Sequence, residues 1–426
     1  MPDTVAPNLV AAVNEQRHWH DMMSMAEFGA FTDPNGHQGV NRACLTELDR
    51  QARRLLIAWA REAGLGVSVD RLGNLFLRHE GRDPTLAPVL TGSHMDSQPN
   101  GGRFDGIWGV IAGFEAVRAL REAGVGTKRP IEVVAWTNEE GGRYAPGCMG
   151  SMAYAGYAPP DSWDAVTDRA GIAFGHALAE HLALEADIPR RGLGVVEGPA
   201  PFAYVEAHIE QGPLLEAQDM DIGVVTGIQG SRWFLVELTG KSDHAGTTPL
   251  GMRQDAVQDM VRAITALNAL MHDPKDVLRF TVASIEVHPN TSNSVAGRVA
   301  FTIDFRHPDN AVLQARGNAI EGVIQSAVRD CTVRLTERFH ATPVAFDPMI
   351  TGAVEAAARA QGLRAMRLPS GAFHDSQFMV PLCPTGMIFV PCRAGVSHHP
   401  SEYATSEALA AGTRVLAQVL ADLANR

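Results

Sequence analysis

Two periodicities of apolar and polar positions alternate along the first half of the chain. Apolar runs near residue 75 and at 87–92 and 131–136 predict buried strands, while helical spacing at 45–62 and 110–123 predicts amphipathic helices. Strands that alternate with helices are typical of an α/β domain with helices on both faces of its sheet. We therefore predict a mixed central sheet flanked by helices.

The order of predicted helices and strands changes after residue 231, and near the carboxyl terminus the elements of the first domain resume. The order is strand 233–239, helix 254–271, strands 278–287 and 298–305, helix 310–328 and strand 332–339. This βαββαβ order is typical of a ferredoxin-like α+β unit. A core strand at 387–391 and a helix at 406–424 then resume the first domain. We predict a first domain of residues 1–213 and 342–426, with an inserted domain of residues 214–341.

Composition narrows the classes of function. The 426 residues contain 36 Lys and Arg against 48 Asp and Glu, a formal charge of -12, so we expect no nucleic-acid partner, because phosphate backbones are bound by cationic excess. No apolar run approaches the ~20 residues that span a bilayer, and the first ten residues lack a secretory pattern. We expect a cytoplasmic protein without membrane association. The five scattered cysteines favour reduced thiols, which leaves imidazoles and carboxylates as candidate metal ligands.

Residues with metal-binding side chains follow the predicted strand at 87–92. His94, Asp96 and Asp105 lie there in a segment rich in glycine, whose conformational freedom lets backbone crowd around a small ligand. Ligands of open α/β sheets bind beyond the carboxyl ends of strands. The alternative is a polar turn with an incidental histidine.

The strand at 131–136 is followed by the adjacent acids Glu139 and Glu140. Two neighbouring carboxylates beyond a buried strand repel each other unless a cation or a shared proton relieves the repulsion. Adjacent side chains also point in different directions, so one can bind a metal while the other accepts a proton from water. Read alone, the pair is equally compatible with a solvated acidic turn.

Two further apolar stretches carry His208 and His398. Four strand ends that meet at one sheet edge favour a metal site over four unrelated polar turns. Imidazole and carboxylate ligands without thiolate suit zinc, manganese or cobalt, and hydrolytic sites of this kind often hold two ions bridged by a carboxylate.

Five motifs, NGGRFDG, NEEG, HIEQGP, SDHAGTTP and SHHPSEY, together resemble the M20-type metallohydrolases. Within them the chain is most similar to the branch of N-carbamoyl-L-amino acid hydrolases, β-ureidopropionases and allantoate amidohydrolases. The resemblance runs from about residue 25 to the carboxyl terminus. It implies a catalytic domain that holds two divalent metal ions (zinc, manganese or cobalt) and an inserted dimerisation and lid domain.

The resemblance also implies roles for single residues. Asp105 would bridge the two metals, with His94, His208, Glu140 and His398 as the remaining ligands. Glu139 would be the general base that takes a proton from a metal-bridging water, and Asp96 would orient His94.

For substrate binding, the resemblance implies a carboxylate clamp and contacts to the amide group. His244 would reach the partner's active site in a homodimer and stabilise the oxyanion. The remaining contacts would come from Asn293, Arg306, Gln211, Gly371 and Ala372. Without the resemblance, the preferred interpretation of Arg306 is an arginine at a surface strand end. Phe373 departs from the glycine that this branch usually has before the His-Asp pair.

We therefore expect a hydrolase of non-peptide carbon–nitrogen bonds. Its substrate would be an N-carbamoyl-L-amino acid or β-ureido acid, a small ureido or amide compound with a carboxylate, which would give the amino acid, carbon dioxide and ammonia. The alternatives are an allantoate amidohydrolase and, more distantly, an aminoacylase or dipeptidase. A metal-binding scaffold without activity is disfavoured by Glu139, because a scaffold has no use for a general base.

Overall fold

The computed structural model describes residues 7–426 of the chain, so residues 1–6 of the predicted first domain lie outside the described range. The chain divides into two compact units, one containing the chain up to Thr226 and Ala345–Arg426, the other Gly227–Val344. Across residues 7–426, no helix has the length and apolar character needed to cross a membrane.

The helices are named α1 to α13 in chain order. They are Pro7–Ala12, Glu15–Ala26, Glu47–Glu62, Ile107–Glu122, Met149–Tyr154, Phe174–Leu184, Gly194–Glu197, Leu214–Ala217, Ala256–Met271, Asn310–Ala327, Pro348–Ala360, Ser376–Met379 and Ser406–Ala424. Short 3-10 turns occur at Pro160–Trp163, Leu250–Met252 and Arg393–Gly395.

The strands are named β1 to β15. They are Ala30–Thr32, Gln38–Val40, Gly66–Val69, Leu75–His79, Val89–His94, Ile131–Trp136, Ala203–Ile209, Ile222–Ile228, Gly230–Thr239, Arg279–His288, Arg298–His307, Thr332–Ala341, Val344–Ala345, Ala365–Ser370 and Thr385–Val390.

The main sheet is mixed, which confirms the predicted architecture. Its order is β13-β8-β15-β7-β5-β6-β4-β3, with β14 also paired to β8. The four central strands β15, β7, β5 and β6 run parallel, and every residue in them is buried. Such strands are continuous apolar runs because helices cover both of their faces. Helices α4 and α13 pack on one side, and α5 and α12 contribute to the other.

The second unit has the predicted βαββαβ order. Its sheet β10-β11-β9-β12 is antiparallel throughout, and α9 and α10 pack on it around a core that includes Phe234, Phe301 and Phe305. This unit therefore has a hydrophobic core of its own.

The second unit begins later than the predicted residue 214. Strand β8 pairs antiparallel with β15, with Gly223 opposite Phe389, so the segment up to Thr226 belongs to the main sheet. The chain returns beside its point of departure, where the Phe346 N–H donates to the Thr226 carbonyl oxygen at 2.9 Å.

Candidate metal centre

The predicted ligands meet at one edge of the main sheet. His94 is the last residue of β5, His208 is near the end of β7, and Glu140 and His398 follow β6 and β15. Because these four strands are parallel, their carboxyl ends lie at the same edge. Four segments that are distant in sequence are thereby brought together.

Asp105 lies at the middle of the cluster. Its Oδ1 is 3.1 Å from His208 Nε2 and 3.8 Å from His94 Nε2, whereas its Oδ2 is 3.2 Å from His398 Nε2. His398 Nε2 is also 3.4 Å from Glu140 Oε2. Two groups of three side chains result, each with ligand atoms within 4.8 Å of one another, and Asp105 belongs to both.

The loop after β5 needs glycine immediately after Asp105. Gly106 has a φ of 65°, and a Cβ at this position would lie 2.1 Å from His94 Cε1. Both the left-handed backbone and the close approach of the imidazole exclude a side chain. Helix α4 then begins at Ile107.

Backbone carbonyls fix the orientation of two histidines. His94 Nδ1 lies 2.9 Å from the Asp96 carbonyl oxygen, and His208 Nδ1 lies 2.9 Å from that of Ile209. Donation from Nδ1–H directs the Nε2 lone pair toward the centre, which is the arrangement of histidines that bind metals. The Nε2 of His208 also accepts the Gly106 N–H at 3.2 Å.

The Asp96 carboxylate holds the turn that carries the two glutamates. Its oxygens accept the N–H groups of Glu139 and Glu140 at 3.3 Å each. Its Oδ1 lies 3.7 Å from His94 Nδ1, whereas the Asp96 carbonyl oxygen lies 2.9 Å from the same nitrogen. The predicted orientation of His94 therefore involves the Asp96 backbone more closely than its side chain.

Glu139 and Glu140 point to different partners, as expected for adjacent residues. Glu140 accepts from the Gln98 backbone at 3.1 Å and from its amide at 2.9 Å. Glu139 Oε2 lies 3.4 Å from His94 Nε2, and its Oε1 accepts from the Cys148 thiol at 3.5 Å.

The electrostatics of the cluster favour cations. Burial, together with the charge of Asp105, raises the pKa of Glu140 to about 8. Burial, together with Asp375 and Glu140, raises the pKa of Glu139 well above its usual range. Burial lowers the pKa of His94 to about 4, so this imidazole is neutral near pH 7. Contact with Asp105 outweighs burial and raises the pKa of His208 and that of His398 to about 9, so both imidazoles would release a proton on binding a metal ion. Buried carboxylates beside imidazoles are a donor set that divalent zinc, manganese or cobalt fits.

Gln211 lies against the shared aspartate. Its Nε2 donates to Asp105 Oδ2 at 2.9 Å, and within residues 7–426 its buried Oε1 has no hydrogen-bond partner. Gly371 and Ala372 follow β14 in the loop that leads to His374, whose ring centroid lies 4.5 Å from that of His208. The structure thus brings this loop to the metal cluster.

The other predicted substrate residues belong to the second unit. The loop of His244 pairs with that of Asn293, whose carbonyl accepts the Ala245 N–H at 3.0 Å. His244 Nδ1 accepts two backbone N–H groups, at 3.0 and 3.2 Å, so Nε2 carries the proton of the neutral ring. Arg306 lies in β11 and donates to Asp304 at 2.8 Å.

Sequence reasoning assigned no role to Glu402, Ser397 or Gln98. Glu402 is buried and accepts the N–H groups of Phe104 and Asp105 at 2.9 and 3.1 Å. Burial, together with Asp105, raises its pKa to about 7. The signal was the glutamate at the end of the motif SHHPSEY. His399, in the same motif, contacts Ser401 and is in neither ligand group.

A shared aspartate between two imidazole and carboxylate groups, at the carboxyl edge of a mixed α/β sheet, defines a metal-dependent hydrolase. Comparison with known proteins agrees. The chain belongs to the peptidase family M20/M25/M40, whose family model matches residues 90–422, and the resemblance to M20-type metallohydrolases is confirmed.

Close relatives span almost the whole chain. An N-carbamoyl-L-amino-acid amidohydrolase of Rhizobium meliloti is 39% identical, covering 96% of this chain and 97% of its own length. An allantoate amidohydrolase of Bacillus subtilis (strain 168) is 33% identical, covering 94% and 95%. The crystal structure of an amidase of the hydantoinase/carbamoylase family from Burkholderia multivorans is 42% identical and superimposes with a TM-score of 0.88, covering 97% and 98%.

Proposed function

We propose that this protein hydrolyses the carbamoyl group of an N-carbamoyl-L-amino acid or a β-ureido acid, giving the amino acid, carbon dioxide and ammonia. The observation that carries the proposal is the pair of ligand groups that share Asp105, with the carboxylate of Glu139 beside them. The name of the 39% identical relative supports the substrate class.

Two divalent ions, zinc, manganese or cobalt, would be held by the two ligand groups. His94 and His208 would bind one ion, Glu140 and His398 the other, and Asp105 both. When bound, such ions polarise a carbonyl oxygen and lower the pKa of water.

Glu139 is the proposed general base. A carboxylate whose pKa is raised well above its usual range holds a proton more readily near neutral pH than an exposed glutamate does. It would accept a proton from the attacking water and return it to the leaving nitrogen. Asp96 would keep the turn of Glu139 and Glu140 in place through its two backbone contacts.

The proposed substrate contacts are to its ureido group, its backbone and its carboxylate. The partnerless Oε1 of Gln211 would accept an N–H of the ureido group, and Gly371 and Ala372 would contact the substrate backbone. Arg306 and Asn293 would bind its carboxylate, for which guanidinium is a planar partner. The Nε2–H of His244 suits donation to a developing oxyanion in the partner's site, which makes a homodimer part of the proposal.

Allantoate is the second candidate substrate, favoured by the 33% identical relative of that name. Aminoacylase or dipeptidase activity and a scaffold without catalysis are the more distant alternatives. We also propose a cytoplasmic location, on the sequence pattern given above.

The test is ammonia release after chelator-treated protein is reloaded with zinc, manganese or cobalt. The panel contains N-carbamoyl-L-amino acids, their D enantiomers, N-carbamoyl-β-alanine and allantoate, with amine release followed for N-acetyl amino acids. We expect metal-dependent turnover of a carbamoyl compound, with side-chain selectivity that changes when Phe373 is replaced by glycine. Turnover of allantoate alone, or of acylated compounds alone, would overturn the substrate assignment. Metal binding without any turnover would favour the scaffold.

A further inference from the structure

Two side chains after β15 contact the shared aspartate without belonging to either ligand group. Ser397 Oγ lies 2.8 Å from Asp105 Oδ2 and 2.9 Å from Glu402 Oε2. The other oxygen of Glu402 accepts the N–H groups of Phe104 and Asp105 at 2.9 and 3.1 Å. Glu402 is therefore connected to Asp105 twice, through the backbone and through the Ser397 hydroxyl.

The loop before Asp105 is built closely around the Glu402 carboxylate. A Cβ at Gly102 would lie 2.0 Å from Glu402 Oε1, so only glycine lets the loop approach this far. Glu402 itself is 1% exposed. A buried carboxyl group with this many directed contacts fixes the position of the segment that it contacts.

Ser397 contacts one particular carboxylate oxygen of Asp105. It contacts Oδ2, the oxygen that lies 3.2 Å from His398 Nε2, whereas Oδ1 is the oxygen that lies 3.1 Å from His208 Nε2. A hydrogen bond to a ligand's carboxylate holds the oxygen in the orientation that a metal needs. Loss of the Ser397 contact should therefore weaken metal binding by the group that contains Glu140 and His398 more than metal binding by the other group.

We propose that Ser397 and Glu402 are positioning residues that hold Asp105 so that its Oδ2 completes the metal group of Glu140 and His398. This inference rests on the metal-dependent function proposed above and adds two residues to it. Neither residue touches the substrate in this role, because both act through Asp105.

Two variants of Glu402 distinguish its hydrogen bonds from its packing, because they retain different contacts. The Ser397 hydroxyl has one hydrogen and two carboxyl oxygens within reach. In Glu402→Gln, the amide oxygen can still accept the two backbone N–H groups, while the amide nitrogen donates to Ser397 and directs the hydroxyl hydrogen to Asp105. In Glu402→Ala, the contacts of the Glu402 carboxylate with the two backbone N–H groups and with Ser397 are all lost.

The experiment titrates Co²⁺ into chelator-treated full-length protein and follows the visible absorption of the bound ions together with calorimetry. Ser397→Ala should weaken one of two binding steps by about 10- to 100-fold and leave the other within about threefold. Glu402→Gln should bind both ions as the unsubstituted protein does, and Glu402→Ala should lose at least as much affinity as Ser397→Ala. Ser401→Ala is the matched control, because Ser401 lies on the same segment and contacts His399, which is in neither ligand group.

Unchanged binding of both ions by Ser397→Ala would overturn the positioning role while leaving the metal site intact. Equal losses in Glu402→Gln and Glu402→Ala would also overturn it, because the charge rather than the directed contacts would then matter. If the unsubstituted protein bound no Co²⁺, this result would contradict the proposed metal-dependent function and, with it, the positioning role. Thermal unfolding of the metal-free proteins identifies any variant that does not fold, and Ser397→Ala with Glu402→Gln decides the question even if Glu402→Ala is such a variant.

Discussion

Among single residues, Glu139 is the proposed general base. It lies in contact with His94 and the Cys148 thiol and is in neither ligand group. Its carboxylate is thus available to exchange protons beside the metal centre.

Glu139→Gln should reduce kcat by about 10²- to 10⁴-fold while the metal content stays unchanged, because the amide keeps the shape of the side chain but cannot take a proton. Ammonia release and elemental analysis of the same samples check this. Retained turnover would show that another group is the base.

Alanine substitutions at Gly106 and Gly124 distinguish the effect of backbone strain from the effect of a clash with a metal-site residue. Their φ values are 65° and 66°, but only a Cβ at Gly106 would meet another group, the His94 ring. We expect Gly124→Ala to cost about 1 to 3 kcal/mol of stability through strain alone and to retain metal affinity. Gly106→Ala should cost at least as much and also lose metal binding. Chemical unfolding and Co²⁺ titration of both variants check this, and equal metal affinities would contradict it.

The sequence could place the candidate ligands at one sheet edge because His94, Glu140, His208 and His398 lie at or after the ends of apolar runs that predict buried strands. Glu402 was not predictable from sequence, because its partners Phe104 and Asp105 lie almost 300 positions earlier in the chain and offer backbone N–H groups, which leave no mark on side-chain pattern. The closer contact of His94 with the Asp96 carbonyl was missed for the same reason.

Among the elements, α13 closes the main unit by packing against α4 and β15. At Gly412 the approach is so close that a Cβ would lie 2.6 Å from Val390 and 2.7 Å from Trp108. Helix propensity and packing therefore oppose each other at this position.

Gly412→Ala should destabilise the protein by about 1 to 3 kcal/mol, because overpacking outweighs the gain in helix propensity. Gly352→Ala is the control, since Gly352 lies within α11 and a Cβ there would meet no atom within 4 Å. It should stabilise the protein by about 0.5 to 1 kcal/mol. Midpoints of chemical unfolding measure both, and changes of the same sign would refute the packing argument.

Helix α2 carries a buried histidine whose protonation opposes folding. Burial, with the charges of Arg118 and Arg414, lowers the pKa of His18 from its ordinary value of 6.5 to about 3. Below pH 6.5, His18 is protonated in the unfolded chain but stays neutral in the folded chain. The contribution of His18 to stability is thus present above pH 6.5 and is lost as the pH falls toward 3.

The free energy of unfolding should therefore fall with decreasing pH more steeply in the unsubstituted protein than in His18→Gln. The difference should approach about 1.4 kcal/mol per pH unit between pH 6 and pH 4. Metal-free samples of both proteins, unfolded with urea at each pH, provide the measurement. Parallel pH profiles would mean that His18 is protonated in the fold.

Helices and strands were predicted correctly where one hydrophobic pattern dominates the segment. They were missed where the segment becomes a strand only by pairing with a distant strand. Strand β6 and helix α13 have the predicted bounds, because β6 is apolar at five of its six positions and α13 is a long run rich in Ala, Leu and Val. Strand β8 was not predicted, since its glycines weaken the strand signal and its partner β15 comes much later in the chain. That omission moved the predicted start of the insertion to residue 214.

For the whole molecule, the proposed contribution of His244 to the partner's site can be tested by complementation. A heterodimer of Glu139→Gln and His244→Ala subunits would contain one site with Glu139 and an intact partner His244. Each homodimer would be inactive, whereas the purified heterodimer should recover about half of the normal activity. An inactive heterodimer would show that His244 serves its own subunit, whereas an active His244→Ala homodimer would show that His244 has no catalytic role.

The adjacent exit and return of the chain at Thr226 and Phe346 have a consequence for evolution and engineering. A segment whose two ends leave a scaffold at neighbouring points can be exchanged or shortened without stretching the scaffold. If Asn293 and Arg306 bind the substrate as proposed, these residues can diversify independently of the metal ligands, and exchanging residues 227–344 between relatives becomes a modular route to new substrate preferences.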